Sequence, residues 1–318
     1  MEISVVIPTF RRPDLLARCL AAVTAQDLDP ARFEVIVADD AADDATRRQV
    51  EAVGSPAAVR YIAVNGNQGP AAARNRGWHA ARGDVIAFTD DDTVPDRGWL
   101  RAGLAAIRSG ADASAGRVVV PLPPAPTDYE RNEAGLEQSE FVTANCFVRR
   151  DALKAVGGFD ERFTAAWRED SDLHFALLER GCRIDRSPDA VVVHPVRPAA
   201  WGVSLRQQRK SQFDALLYRK HPRLFRVQIR PLRPWDYYAI VAASAAAGAA
   251  WLAGSPTTAL AATTVWLALT CLFLVRRIRG TSHAPRHIAE MVVTSALIPP
   301  LSVFWRLYGA VRFRVLFI

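Results

Sequence analysis

Between Tyr237 and Val275 the chain carries no Asp, Glu, Lys, Arg or His for 39 residues. As one helix that run would reach roughly 58 Å, far beyond a hydrocarbon core of about 30 Å. Gly254-Ser255-Pro256 divides it, so two helices are expected at about 237–253 and 257–275, each near a spanning length. Arg223, Arg226, Arg230 and Arg233 precede the pair, and Arg276, Arg277 and Arg279 follow it. Arginines at both ends place both ends on the cytoplasmic side of a membrane hairpin. Trp235, Tyr237 and Tyr238 suit the interface. A buried hairpin of a soluble protein is the alternative. A further apolar segment at about 288–311 is interrupted by Glu290 and by Pro299-Pro300, and it carries Arg306, with Arg312 and Arg314 just beyond. It reads as an interfacial or re-entrant piece whose basic groups face anionic headgroups. Residues 226–318 are therefore expected to form a membrane region and residues 1–225 a catalytic domain.

The charge is unevenly spread. The 318 residues hold 40 Lys+Arg and 33 Asp+Glu, for a formal net charge of +7. From Arg206 onward there are about 16 basic and three acidic side chains, so the front is mildly acidic. An acidic front argues against nucleic acid as a partner, because basic groups interleaved with aromatics are absent from it. A hydrophobic fraction of 50% excludes a disordered chain. Cys19, Cys146, Cys182 and Cys271 match neither a zinc spacing nor a disulfide framework, and suit a reducing compartment. No signal-peptide pattern precedes the first strand, so the front domain is expected in the cytoplasm, on the inner membrane.

That front alternates apolar strands with helical patterns. Strands are expected at Ile3–Ile7, Phe33–Ala38, Val59–Val64 and Asp84–Thr89. Helices are expected at Pro13–Thr24, after Asp43 or Asp44, at Gly69–Ala81 and at Asp96–Ser109. Repeated β-α units predict an α/β fold: a doubly wound, mostly parallel, Rossmann-like sheet that binds ligands at the carboxyl ends of its strands. Pro8-Thr9-Phe10-Arg11-Arg12 follows the first strand without a glycine, so neither a dinucleotide fingerprint nor a nucleotidyl-transfer loop is present there.

Acid follows the strands instead. Asp39-Asp40 ends the second and Asp90-Asp91-Asp92 the fourth. Two acidic ends on one sheet edge repel each other unless a cation or a ligand's donors lie between them. Oxygen ligands of this kind suit Mg²⁺ or Mn²⁺, which also accept phosphate oxygens. Solvated loop acids and helix caps are the plain alternative. A second acidic cluster, Glu169-Asp170-Ser171-Asp172, opens a helix and offers a general base or, more simply, an N-cap.

The ordered set Val6-Ile7-Pro8-Thr9, Val37-Ala38-Asp39-Asp40, Ala73-Arg74-Asn75-Arg76-Gly77, Phe88-Thr89-Asp90-Asp91-Asp92, Gly157-Gly158-Phe159-Asp160 and Glu169-Asp170 resembles family 2 glycosyltransferases over about the first 200 residues. The resemblance implies a GT-A fold, a nucleoside-diphosphate sugar donor, a divalent cation and inversion at the sugar. It places Pro8, Thr9, Arg11, Asp39, Asp40, Arg74, Asp90 and Asp91 around the donor. It places Asp90, Asp92 and His194 on the metal, and makes Asp170, with Glu169 beside it, the catalytic base. His194 also reads as a loop or core histidine, and Arg74 as a helix-surface residue. Asn145, Trp167 and Asp172 are expected on the acceptor side, with Trp167 equally suited to a core. Gln207-Gln208-Arg209-Lys210 stands where processive members carry Q-x-x-R-W, and no Trp follows, so transfer of a single sugar is expected. The membrane region points to a lipid-linked saccharide, a glycolipid or a cell-envelope glycan precursor as acceptor. A polyprenyl-phosphate sugar synthase and a catalytically inactive membrane scaffold are the rival readings.

Overall fold

The computed structural model describes residues 1–64, 69–229 and 234–317; Arg230 and Arg233 of the expected basic flank lie outside the described residues. The chain runs β1 (Ile3–Thr9), α1 (Pro13–Thr24), β2 (Phe33–Asp39), α2 (Asp44–Glu51), β3 (Ala58–Ala63), α3 (Pro70–His79), β4 (Val85–Phe88), β5 (Val94–Pro95), α4 (Trp99–Arg108) and β6 (Ala113–Val119). It continues through α5 (Asp128–Glu133), β7 (Cys146–Arg149), α6 (Arg150–Val156), α7 (Glu169–Glu179) and β8 (Ile184–Val193). Six helices follow: α8 (Val203–Gln207), α9 (Gln212–Lys220), α10 (Pro222–Leu224), α11 (Trp235–Leu252), α12 (Pro256–Ile278) and α13 (Pro285–Arg312).

Two compact units result. The first comprises Met1–Pro121 and Ala134–Val196, the second Leu122–Glu133 and Arg197–Ile318. The division falls at Arg197, not at the expected 226, because α8 and α9 pack on α13. The segment carrying α5 belongs to the second unit although β6 and β7 flank it in sequence.

The first unit is built on an 8-stranded sheet in the order β3-β2-β1-β4-β7-β6-β8-β5. Strands β1 to β4 run parallel to one another. β7 runs against both β4 and β6, and β8 runs parallel to β6, which returns β8 to the direction of β4. Alternation along β1 decides the layers. Ile3, Val5 and Ile7 point to one face, where Leu16, Cys19 and Leu20 of α1 and Leu100, Leu104 and Ile107 of α4 cover them. Val6 points to the other face with Ile36, Ile86 and Phe88, under Trp78, Leu153, Leu173 and Leu177. Both faces are buried, as parallel strands require. The loop into β4 passes so close to β1 that glycine is needed: a Cβ at Gly83 would stand 2.6 Å from the Ile3 carbonyl carbon.

The described part of the second unit is helical. Among the described residues, α12 and α13 are the helices long and apolar enough to cross a membrane. The expected pair was α11 and α12. α11 fails because it opens on Trp235-Asp236-Tyr237-Tyr238 and continues in weakly apolar alanine. α13 differs from expectation in the other direction: it is one 28-residue helix that runs through Pro299 and Pro300 without a break. The missing proline amides are tolerated because α9, α11 and α12 pack along it. Glu290, the charge that argued against a span, accepts the Gly202 amide at 2.7 Å.

Candidate active site

The sheet direction brings the acids together. β4 and β8 are parallel, so Asp90-Asp91-Asp92 and His194 emerge at the same carboxyl edge, next to the ends of β1 and β2. One ligand atom from each of Asp90, Asp92 and His194 lies within 4.8 Å of the others. His194 Nε2 stands 3.5 Å from Asp92 Oδ1, and the His194 amide donates to the Val119 carbonyl at 2.8 Å, which anchors the loop after β8. Two carboxylates and one imidazole, partly withdrawn from water, form a donor set that fits Mn²⁺ or Mg²⁺.

The middle aspartate turns away. Asp91 accepts the Thr9 hydroxyl at 2.7 Å and Arg12 Nη1 at 3.2 Å, so it ties the end of β4 to the end of β1. Burial pushes its carboxyl up to about 6, against the pull of Arg12. Thr9 and Asp91, both expected around the donor, are hydrogen-bonded to each other.

Asp39 and Asp40 divide in the same way. Asp39 is buried and accepts the Ala41 amide at 3.0 Å, the Asp43 amide at 2.7 Å and the Tyr61 hydroxyl at 2.9 Å. Those three donors occupy both oxygens, and Asp39 shapes the turn after β2 rather than presenting a carboxylate to a ligand. Asp40 accepts the Gly69 amide at 2.8 Å, at the entrance to α3. Pro8 pairs in register with Ala38 inside the sheet. Arg11 is exposed, with φ at +52° and its guanidinium 5.3 Å from the Phe10 ring centroid.

Arg74 organises the rest. Only 3% exposed, it donates from Nη2 to Asp90 at 2.7 Å and from Nη1 to Glu169 at 3.0 Å. One buried cation thereby joins the metal-type cluster to the first turn of α7. The helix-surface reading of Arg74 is excluded by that burial. Asp90 and Glu169 hold the guanidinium charged despite its desolvation. Burial pushes the Glu169 carboxyl up to about 7, with Arg74 opposing, and burial also raises Asp170 above the usual carboxylate range. Asp170 accepts the Ser171 amide at 2.6 Å and is half-buried. A carboxylate of raised proton affinity at the sheet edge is the chemistry that a general base requires.

The acceptor-side residues separate. Trp167 is 36% exposed, with the Arg168 guanidinium 4.6 Å from its ring, so it is a surface platform and not core. Arg168 itself adopts φ +75° and turns the chain into α7. Asp172 is buried beneath that turn, its amide donating to the Arg168 carbonyl at 2.8 Å. Asn145 lies in the interior, away from the expected acceptor-side surface. It is buried, accepts Trp99 Nε1 at 2.8 Å, and donates to the Arg117 and Ala190 carbonyls at 2.9 and 2.8 Å. Those bonds brace the bulge between Gly116 and Arg117, where the β6–β8 register shifts.

Two residues at the site escaped the sequence reading. Arg12 was overlooked beside Arg11, although a second arginine after β1 was a signal. Asn75 stands in the same motif as Arg74; it donates to the Phe159 carbonyl at 2.8 Å and to Glu161 at 2.9 Å, and accepts the Phe159 amide at 2.9 Å. It clamps the Gly157-Gly158-Phe159-Asp160 turn, where Gly158 has φ +71° and a Cβ would stand 2.8 Å from Asn75 Oδ1.

Comparison with known proteins identifies the family and the fold. Residues 4–161 match "Glycosyl transferase family 2" and residues 85–305 match "Glycosyl transferase family group 2". The chain is 29% identical over 219 residues to glycosyltransferase AglE of Haloferax volcanii, covering 65% of this chain and 70% of that one. It is 31% identical over 212 residues to the pre-mycofactocin glycosyltransferase of Mycobacterium tuberculosis, covering 62% of this chain but 43% of that longer protein. Among solved structures, the mannosyltransferase PcManGT from Pyrobaculum calidifontis, in complex with GDP-Man and Mn²⁺, superposes with a TM-score of 0.61 at 23% identity, over 96% of this chain and 87% of that one. The S. aureus TarS fragment in complex with UDP-GlcNAc superposes at 0.51 and 16% identity, over 97% and 92%. The fold is the GT-A fold, and the chain belongs to the family 2 glycosyltransferases.

Proposed function

We propose that the protein transfers one sugar, with inversion, from a nucleoside-diphosphate sugar to a hydroxyl of a lipid-linked saccharide, glycolipid or cell-envelope glycan precursor at the cytoplasmic face of a membrane. The observation that carries the reading is the Arg74 bridge, which sets Asp90 of the Asp90–Asp92–His194 cluster and Glu169, neighbour of Asp170, on one guanidinium. A divalent cation held by Asp90, Asp92 and His194 would offset the negative charge that builds on the departing diphosphate. Asp170 takes the proton of the acceptor hydroxyl as its oxygen attacks the anomeric carbon, and the sugar–phosphate bond breaks on the opposite face. Glu169 and Arg74 fix the start of α7 so that Asp170 keeps its position. Exposed Trp167, three residues earlier in the turn before α7, offers an apolar face to an acceptor sugar. The solved neighbours in complex with GDP-Man and UDP-GlcNAc support a nucleotide-sugar donor without choosing the base. The apolar helices α12 and α13 support a membrane-bound acceptor.

General-base assistance is worth about 10²–10⁴-fold. Asp170→Asn is expected to lower transfer by that factor while donor binding, read by calorimetry, stays within about twofold. Product analysis with a short-chain lipid-linked acceptor should give the inverted anomer. Full activity in Asp170→Asn, or a retained anomer, contradicts the assignment.

A further inference from the structure

The second unit contains a cavity of about 210 Å³, lined by residues of the second unit alone, at the polar first turn of α13. That volume equals about seven waters. His287 lines it and is only 6% exposed, and neither of its ring nitrogens has a hydrogen-bond partner among the described residues. The Ser204 hydroxyl, also in the lining, is buried and unpartnered in the same sense. Leaving such buried groups unpaired is costly, so the fold carries a polar surface that a ligand would satisfy.

The remaining lining decides the ligand's chemistry. Glu290 spends one oxygen on the Gly202 amide at 2.7 Å, and Asp128 spends one on Arg277 at 2.6 Å. Glu130 spends one on the Thr127 amide and hydroxyl, at 2.7 and 2.9 Å. Each carboxylate keeps a second oxygen able to accept. Acceptors therefore outnumber donors, and with Asp128 paired to Arg277, Glu130 and Glu290 against Arg197 disfavour a phosphate or another anion. Tyr129 adds an aromatic wall. Hydroxyl-rich, uncharged rings match such a lining, since each hydroxyl can both donate to a carboxylate and accept from an imidazole or serine. The position adds to this: Arg277 ends α12 and His287 opens α13, so the cavity lies at the polar ends of the two apolar helices.

We infer that this cavity is a saccharide-binding site that holds one sugar ring of a soluble or membrane-anchored glycan. The inference uses the cavity's own residues and does not depend on Asp170 or on the cation site. The test is saturation-transfer NMR on the full chain in detergent, with methyl glucoside, galactoside, mannoside and N-acetylglucosaminide as probes and inorganic phosphate as the anionic control. At least one glycoside should bind, and His287→Phe and Glu290→Gln should each weaken it tenfold or more, while donor-nucleotide binding stays unchanged as evidence of an intact fold. Repeating the titration with the same sugar on a short lipid carrier in vesicles separates the sources: tighter binding marks a membrane glycan, equal binding a soluble one. No glycoside binding, binding that neither substitution alters, or phosphate binding that both substitutions abolish overturns the inference.

Discussion

A single buried amide illustrates how close structure and catalysis come at this sheet edge. Asn145 satisfies one indole donor and two carbonyls in the interior, so removing its side chain leaves three buried polar groups unpaired. At about 1–3 kcal/mol for each group, softened by relaxation, Asn145→Ala is expected to destabilise the fold by about 2–4 kcal/mol. Chemical denaturation of the full chain in detergent checks this, and activity per folded molecule should stay near wild type. Asn145 was expected on the acceptor side, but a polar residue in such an apolar stretch serves either a ligand or an internal bond. Sequence alone does not separate them. The same ambiguity explains Asp39, Asp91 and Thr9. Acid at strand ends was legible as a cluster, whereas the division of labour within it depends on which carboxylate meets an amide or hydroxyl from a neighbouring strand. Arg74 went the other way: its burial and its two carboxylate partners come from residues 16 and 95 positions away.

At the scale of elements, periodicity served well where one face of a strand or helix is apolar. The first four parallel strands follow from short apolar runs, and α1 and α4 from the i, i+3, i+4 pattern. What escaped is the antiparallel β7 between β4 and β6, because pairing partners distant in sequence leave no local pattern. Close approach of elements is carried by glycines. At Gly83 a Cβ would press on the Ile3 and Ser4 backbone at 2.6 Å, whereas at Gly54 nothing lies within 4 Å. Gly83→Ala is expected to cost about 1–3 kcal/mol by overpacking against an atom that cannot yield. Gly54→Ala should be neutral within about 0.5 kcal/mol. Thermal unfolding of the pair side by side reads the difference, and equal transitions would show that the sheet gives way there. α13 teaches a related lesson. Pro-Pro and a glutamate argue for interruption in isolation, yet packing along the helix and the Gly202 amide on Glu290 keep it whole.

Over the whole molecule, the uncharged run pointed to apolar helices, but composition did not decide which of them are long and apolar enough to cross a membrane. With α12 as a span, Cys271 in its interior should resist a membrane-impermeant maleimide in native vesicles and react once the protein is extracted into denaturant. Mass spectrometry of the labelled peptide tells it apart from the half-buried Cys182, and equal labelling in both states would exclude a span at α12. The sheet-edge site rests on a different foundation. Its central claim is that Asp90, Asp92 and His194 bind a nucleotide-sugar donor together with a divalent cation. The most direct measurement is calorimetric titration of UDP, GDP and dTDP into the full chain in detergent, each with Mn²⁺ and with EDTA, alongside Asp92→Asn. The account predicts that one nucleotide binds with Mn²⁺, that EDTA abolishes binding, and that Asp92→Asn weakens it at least tenfold. Binding of equal strength in EDTA, or no binding by any of the three, would contradict it.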